Sequence, residues 1–172
     1  MNITKPYFKI KKFREDAIVP SKRKEDAGYD FYGNFKNDFE IFDSAHINLI
    51  PTGIGCEIPC DWVLLLCERG STGVRGISKR AGVIDSGFRG EIFVALNNTS
   101  SKPIIFAKYE DSRLDDFLLK NKLFKDDVTI YPQAKAIAQG LLLYCPHVEV
   151  EVVEELNNNS ERGTGTIGSS GK

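Results

Sequence analysis

An all-β protein is what this sequence predicts, on three observations. Short runs rich in β-branched and aromatic residues recur along its length, punctuated by Gly, Pro, Asn and Asp. Val148-Glu149-Val150-Glu151-Val152 alternates strictly between apolar and charged, as a half-buried strand should. A single segment, near residues 112 to 125, breaks the pattern with helical spacing.

Taken in order, the predicted strands begin with Tyr7 to Phe13, Phe39 to Phe42 and His46 to Pro51. Trp62 to Cys67, Glu91 to Leu96 and Pro103 to Phe106 follow, each bounded by turn-forming residues. Ile137 to Cys145 is nearly all apolar, which suits a strand covered on both faces or one packed at a subunit contact. Val148 to Val153 is the last. This rhythm predicts a sandwich or barrel-like β fold. In the exception, Ser112-Arg113-Leu114-Asp115 reads as an N-cap with an acid at the third helical position. Leu114, Phe117, Leu118 and Phe124 then share roughly one face, through Lys125. After Leu156 the composition turns to Asn, Ser, Gly and Thr, the signature of a flexible arm over 157–172 following a β-rich unit over 1–156.

A chain of 172 residues can bury roughly 70% of its unfolded surface. Its formal net charge of -1 supplies no global field for nucleic acid or an anionic membrane, so phosphate binding must come from local groups. Lys22-Arg23-Lys24 reads as a solvated loop. Cys56, Cys60, Cys67 and Cys145 lack paired zinc spacing and read as buried or inert thiols in a reducing compartment. No apolar run approaches the roughly 20 residues that span a bilayer, and a cytoplasmic protein is expected.

The chemistry lies in five short segments. Asp26-Ala27-Gly28-Tyr29-Asp30 is a loop-to-strand turn ending in an acid. Arg69-Gly70-Ser71-Thr72-Gly73 joins an arginine to glycines that let backbone amides approach phosphate. Gly82-Val83-Ile84-Asp85-Ser86-Gly87-Phe88 sets an acid in a tight turn before an aromatic. Ala134-Lys135-Ala136-Ile137-Ala138-Gln139 and the tail from Arg162 to Ser170 complete the set. By themselves these also read as turns, an amide-capping Asp85 and a disordered C-terminus.

In order and spacing, the segments resemble the five motifs of the homotrimeric dUTP diphosphatases (dUTPases), over residues 26 to 171. The resemblance implies a jelly-roll, or β-clip, fold assembled as a trimer with shared sites. It also implies hydrolysis of dUTP to dUMP and pyrophosphate with Mg²⁺ on the phosphates. Asp85 takes the position of the general base; a carboxylate can orient and polarise the attacking water. Phe88 stands where tyrosine is usual and would lie under the deoxyribose, leaving no room for a 2′-hydroxyl. Gly82, Val83 and Ile84 would read uracil through main-chain groups. Arg69, Gly70, Ser71 and Gln139 would contact phosphates, and Asp30 would lie near the metal. In the tail, Arg162, Gly168, Ser169 and Ser170 would close over the nucleotide, with Ile167 where phenylalanine usually stacks on the base.

The chain departs from the family pattern at Gly70, where a serine is usual, and at Ala134-Lys135-Ala136, where Gly-Asp-Arg is usual. Relative to a minimal member, about 108–127 is an insertion, read as a surface excursion or as a docking element for a protein partner. The rival readings are a dCTP deaminase of the same fold and a regulatory binding protein.

Overall fold

Strand pairing organises this protein, whose computed structural model describes residues 6–157, 159 and 160. Its elements run β1 (Lys9–Lys12), β2 (Tyr29–Phe31), β3 (Phe39–Phe42), β4 (Ile47–Pro51), β5 (Ile54–Glu57) and β6 (Trp62–Cys67). A four-residue helix α1 (Gly70–Gly73) precedes β7 (Ile77–Arg80), β8 (Val83–Ile84), β9 (Phe93–Asn98) and β10 (Ile104–Ala107). Helix α2 (Ser112–Lys120), a 3₁₀ turn at Lys125–Asp127, β11 (Thr129–Pro132) and β12 (Ala138–Tyr144) complete the order. The class is the predicted one, mostly β with few helices.

The strands form four small sheets, ordered β1-β5, β11-β10-β3, β2-β12-β6-β8 and β4-β9-β7. All pairings are antiparallel except β10 with β11, which is parallel. Period two decides which side chains enter the core. In β6, Leu64 and Leu66 are buried between half-buried neighbours; in β9, Val94, Leu96 and Asn98 turn inward. They meet Phe31, Ile50, Ile54, Ile77, Phe106 and Tyr131 in one cluster fed by every sheet. Asn98 is tolerated there because its amide donates to the carbonyls of Phe42 (3.2 Å) and Lys102 (2.9 Å), while its oxygen accepts from Ser100.

The insertion covers the face of the β11-β10-β3 sheet. Leu114 and Leu118 bury against Ile105 and Val128, and Phe117 stacks on Phe39 with ring centroids 4.9 Å apart. Two details differ from the expectation. Asp111, rather than Ser112, is the N-cap, its carboxylate accepting from the Arg113 amide at 3.1 Å. The helix stops at Lys120, leaving Phe124 off its face and 72% exposed.

The expected strand at Val148 to Val153 does not form. Val150 and Val152 are 91% and 94% exposed, and among the described residues this segment pairs with no strand. β2, β5, β7, β8 and β11 were not anticipated. Of the four cysteines, all free, Cys56 is buried, and that burial pushes its thiol above the usual range; Cys67 is half-buried, and Cys60 and Cys145 are exposed. Among the described residues, no helix is long and apolar enough to cross a membrane.

Candidate functional site

The sheet β2-β12-β6-β8 positions most of the expected site residues. Asp30 in β2 faces Gln139 in β12, and Gln139 faces Cys67 in β6. β6 then runs through Glu68 into Arg69, so the segments at 30, 69 and 139 converge at one end of the sheet. An open cleft of about 740 Å³ lies there, lined by Asp30, Arg69, Gly70, Ser71 and Gln139 among others.

Arg69 is the organiser of this cleft. Its Nε lies 3.0 Å from Asp30 Oδ1, and Nη2 donates to Oδ2 at 3.4 Å. Nη1 donates to the carbonyl of Ala136 (2.9 Å) and to Ser71 Oγ (3.4 Å). The same Ala136 carbonyl accepts from the fully buried Tyr131 hydroxyl at 2.6 Å. Burial raises the Tyr131 phenol above its usual range, which keeps the proton on the donor. Tyr131 and the Ala136 carbonyl therefore anchor Arg69 to the core. Sequence reasoning missed both, since a carbonyl contact leaves no mark on residue identity.

Gln139 donates through Nε2 to the carbonyl of Glu68 at 2.7 Å, which joins β12 to the turn before α1. A Cβ on Gly28 would stand 3.0 Å from the Gln139 side chain, so glycine permits this packing. Gly70 borders open space, and a Cβ there would meet nothing within 4 Å. Where the family pattern has an acid, Lys135 holds its ammonium 5.3 Å from the Tyr131 ring centroid. Burial, helped by the charges of Arg75 and Arg69, holds the Lys135 ammonium below its usual range.

Asp85 lies elsewhere. β8 pairs with β6 at Ile84↔Leu64 and Val83↔Leu65, so Asp85 follows toward the β6 N-terminus. From there to Arg69 is some six strand residues, roughly 20 Å at 3.3 Å per residue. Asp85 does not line the cleft. It opens an exposed turn in which the Phe88 amide donates to the Asp85 carbonyl at 3.0 Å. Phe88 is 41% exposed, and its ring lies so close over Gly90 that a Cβ there would come within 2.9 Å of it. Among the described residues β8 is also an edge strand, with a partner strand on one side of its main chain only. Thus Gly82, Val83, Ile84, Asp85 and Phe88 form one group, and Asp30, Arg69, Gly70, Ser71 and Gln139 another. Arg162, Ile167, Gly168, Ser169 and Ser170 lie outside the described residues.

Gly82 hinges the Asp85 turn to the sheet. Its φ is +138°, its carbonyl accepts from the Leu66 amide at 2.8 Å, and an added Cβ would stand 2.7 Å from the Leu66 carbonyl oxygen. Gly82→Ala is expected to destabilise the fold by about 1–3 kcal/mol through backbone strain and to lower turnover by shifting β8. Thermal unfolding and steady-state kinetics of the variant check this.

Fold and cleft together describe a β-rich protein with an open polar cleft in which Asp30, Arg69, Ser71 and Gln139 meet. The chain belongs to the dUTPase family, whose sequence model matches residues 14–111. It is 33% identical over 169 residues to the deoxyuridine 5'-triphosphate nucleotidohydrolase of Dictyoglomus turgidum, covering 94% of this chain and 96% of that protein. To the enzyme of the same name from Nautilia profundicola it is 30% identical over 168 residues, covering 95% and 98%. Among solved structures it resembles the Staphylococcus bacteriophage 80alpha dUTPase with dUpNHpp, at a TM-score of 0.73 and 23% identity, covering 96% of this chain and 99% of that one. It also resembles the dUTPase of phage phi11 of S. aureus, described with a structural Mg(II) ion, at a TM-score of 0.65 and 19% identity, covering 87% and 97%.

Proposed function

We propose that this protein hydrolyses dUTP to dUMP and pyrophosphate, at sites shared between the subunits of a homotrimer in the cytoplasm. The observation that carries the reading is the separation of two half-sites on one chain: a cleft with Asp30, Arg69, Ser71 and Gln139, and an exposed turn with Asp85 and Phe88. Symmetry-related copies would join one half to the other. Ile47, Leu49 and Phe93, an exposed apolar set on β4 and β9, and the unpaired valines at 148, 150 and 152 give such copies surfaces to bury.

In this reading the cleft takes the phosphates, on the backbone of Gly70 and Ser71 with Gln139 and Arg69 beside them. The free edge of β8 at Gly82, Val83 and Ile84 reads uracil through main-chain donors and acceptors, which mismatch cytosine. Phe88 presents a ring face to the deoxyribose and no polar partner for a 2′-hydroxyl. Asp85 orients a water toward the α–β anhydride and receives its proton as that bond breaks. In the terminal segment, Arg162, Gly168, Ser169 and Ser170 would close on the phosphates, with Ile167 as apolar cover for the base.

Mg²⁺ fits this site as a metal carried in by the substrate. Among the described residues no group of three His, Cys, Asp or Glu side chains could cage a metal. Mg²⁺ favours phosphate oxygens and waters with one or two carboxylates, and Asp30, whose oxygens both face Arg69, suits a contact through water. When bound, Mg²⁺ would offset charge on the phosphates. The insertion leaves Leu119 and Phe124 exposed, and a protein partner would dock there.

Incubation of the purified protein with dUTP and with dCTP tests the reaction. The expected result is dUMP plus pyrophosphate from dUTP and no ammonia from dCTP. Ammonia release would install the deaminase reading, and absence of both products the regulatory one.

A further inference from the structure

The basic run at Lys22 and Arg23, which reads in sequence as a solvated loop, stands in the wall of the phosphate cleft. An isolated bridge between Ser21 and Asp30, with the Asp30 amide donating to the Ser21 carbonyl at 2.8 Å, folds this loop back against β2. Ser21, Lys22, Arg23 and Asp26 consequently line the same cleft as Asp30, Arg69, Gly70 and Ser71.

The charge balance of that cleft asks for more cation than Arg69 supplies. Arg69 is already committed, to both oxygens of Asp30, to the Ala136 carbonyl and to Ser71 Oγ. A guanidinium carries five N–H donors, so these four contacts leave one. Arg23 grips Asp26 through Nε and Nη2, both at 2.9 Å, and keeps three donors. Lys22 forms no ion pair at contact distance: its ammonium donates to the Asp26 carbonyl at 2.6 Å, lies 5.5 Å from the Tyr29 ring centroid and meets the Asp26 carboxylate only through longer-range charge. Asp26, its carboxyl held below the usual range by the Arg23 contact, stays anionic and keeps Arg23 on the loop. Lys22, Arg23 and Arg69 stand against two carboxylates, Asp26 and Asp30, so the lining keeps one positive charge in excess.

We infer that Lys22 and Arg23 form a second cationic wall that holds the two outer phosphates of the nucleotide, and hence the departing pyrophosphate. This rests on the dUTP reading of the same cleft, and it names the part of the substrate the loop recognises. The compact ammonium of Lys22 would meet a phosphate as a point charge, and Arg23, prepositioned by Asp26, would add a planar donor edge. Such contacts go to phosphates that dUMP lacks, so the wall discriminates by phosphate number and not by base.

The test is calorimetric titration, in Mg²⁺ buffer, of inorganic pyrophosphate, dUMP and dUpNHpp into the full chain and its variants. Lys22→Ala with Arg23→Ala is expected to weaken pyrophosphate and dUpNHpp by about tenfold or more, the scale of one lost charge-assisted contact, and to leave dUMP within about twofold. Lys22→Gln, which keeps the Arg23 pair with Asp26 intact, should show part of the same loss. Lys24→Ala, in the same loop and outside the cleft lining, should bind all three as the parent does. Unchanged pyrophosphate affinity in the double variant overturns the inference. So does a parallel loss of dUMP, which would mean general damage, or an equal loss in Lys24→Ala, which would mean a diffuse field. Pyrophosphate is titrated directly, so a parent that fails to hydrolyse dUTP sinks the enzymatic reading without deciding this one.

Discussion

Asp85→Asn is expected to lower dUTP turnover by at least about 10²-fold, the lower end of a general-base contribution, while dUTP affinity stays near that of the parent. The carboxamide is nearly isosteric with the carboxylate, and the turn that carries it closes through main-chain atoms, Phe88 amide to Asp85 carbonyl. The side chain is exposed and holds no part of the core. Folding should therefore be unaffected, and the loss should fall in kcat with KM little changed. Steady-state kinetics beside a thermal melt separates the two. Turnover near that of the parent would return Asp85 to the role of a turn residue.

Arg69→Ala should cost about 10²–10³-fold in kcat/KM. The substitution removes the ion pair to Asp30, the anchor on the Ala136 carbonyl and the donor to Ser71 in one step. Charge-assisted hydrogen bonds are worth roughly 1.5–3 kcal/mol each, and the pair is only about one quarter to one third exposed, so solvent replaces them incompletely. Arg69→Lys should recover little, because an ammonium cannot bridge Asp30 and Ala136 with a planar fork. Kinetics on both variants check this; a lysine that restored the parent rate would show that Arg69 acts through charge alone.

Much of the fold was legible because its strands are apolar enough to read by themselves. Phe39–Phe42 and Trp62–Cys67 have the predicted bounds, and both carry bulky residues bounded by turns. Tyr29–Phe31 and Val83–Ile84 were not legible: three and two residues carry no periodicity, and each is a strand only because a distant segment pairs with it. Val148 to Val153 failed in the opposite way, since alternation states which face a strand would bury and not whether the segment pairs at all. At the insertion, Asp111 and Ser112 are both competent caps, and the apolar spacing could not choose between them.

The motifs showed which residues matter and not how they meet. Asp30, Arg69 and Gln139 converge because β2, β12 and β6 are neighbours, a pairing across more than a hundred residues of sequence. Lys22 and Arg23 looked solvated because the bridge that draws them into the cleft is a backbone contact between Ser21 and Asp30. Asp85 sits apart because β8 runs away from the cleft along β6. That divergence is the observation on which the proposal of sites shared between subunits rests.

Mixing Asp85→Asn with Arg69→Ala measures this directly. Each variant alone should be nearly inactive. After the two are unfolded together in equal amounts and refolded, a site that takes Asp85 from one subunit and Arg69 from another finds both intact in about one case in four, so about a quarter of the parent activity should return. Activity that remains at the sum of the two inactive parents, in trimers shown to be mixed, would contradict sites shared between subunits.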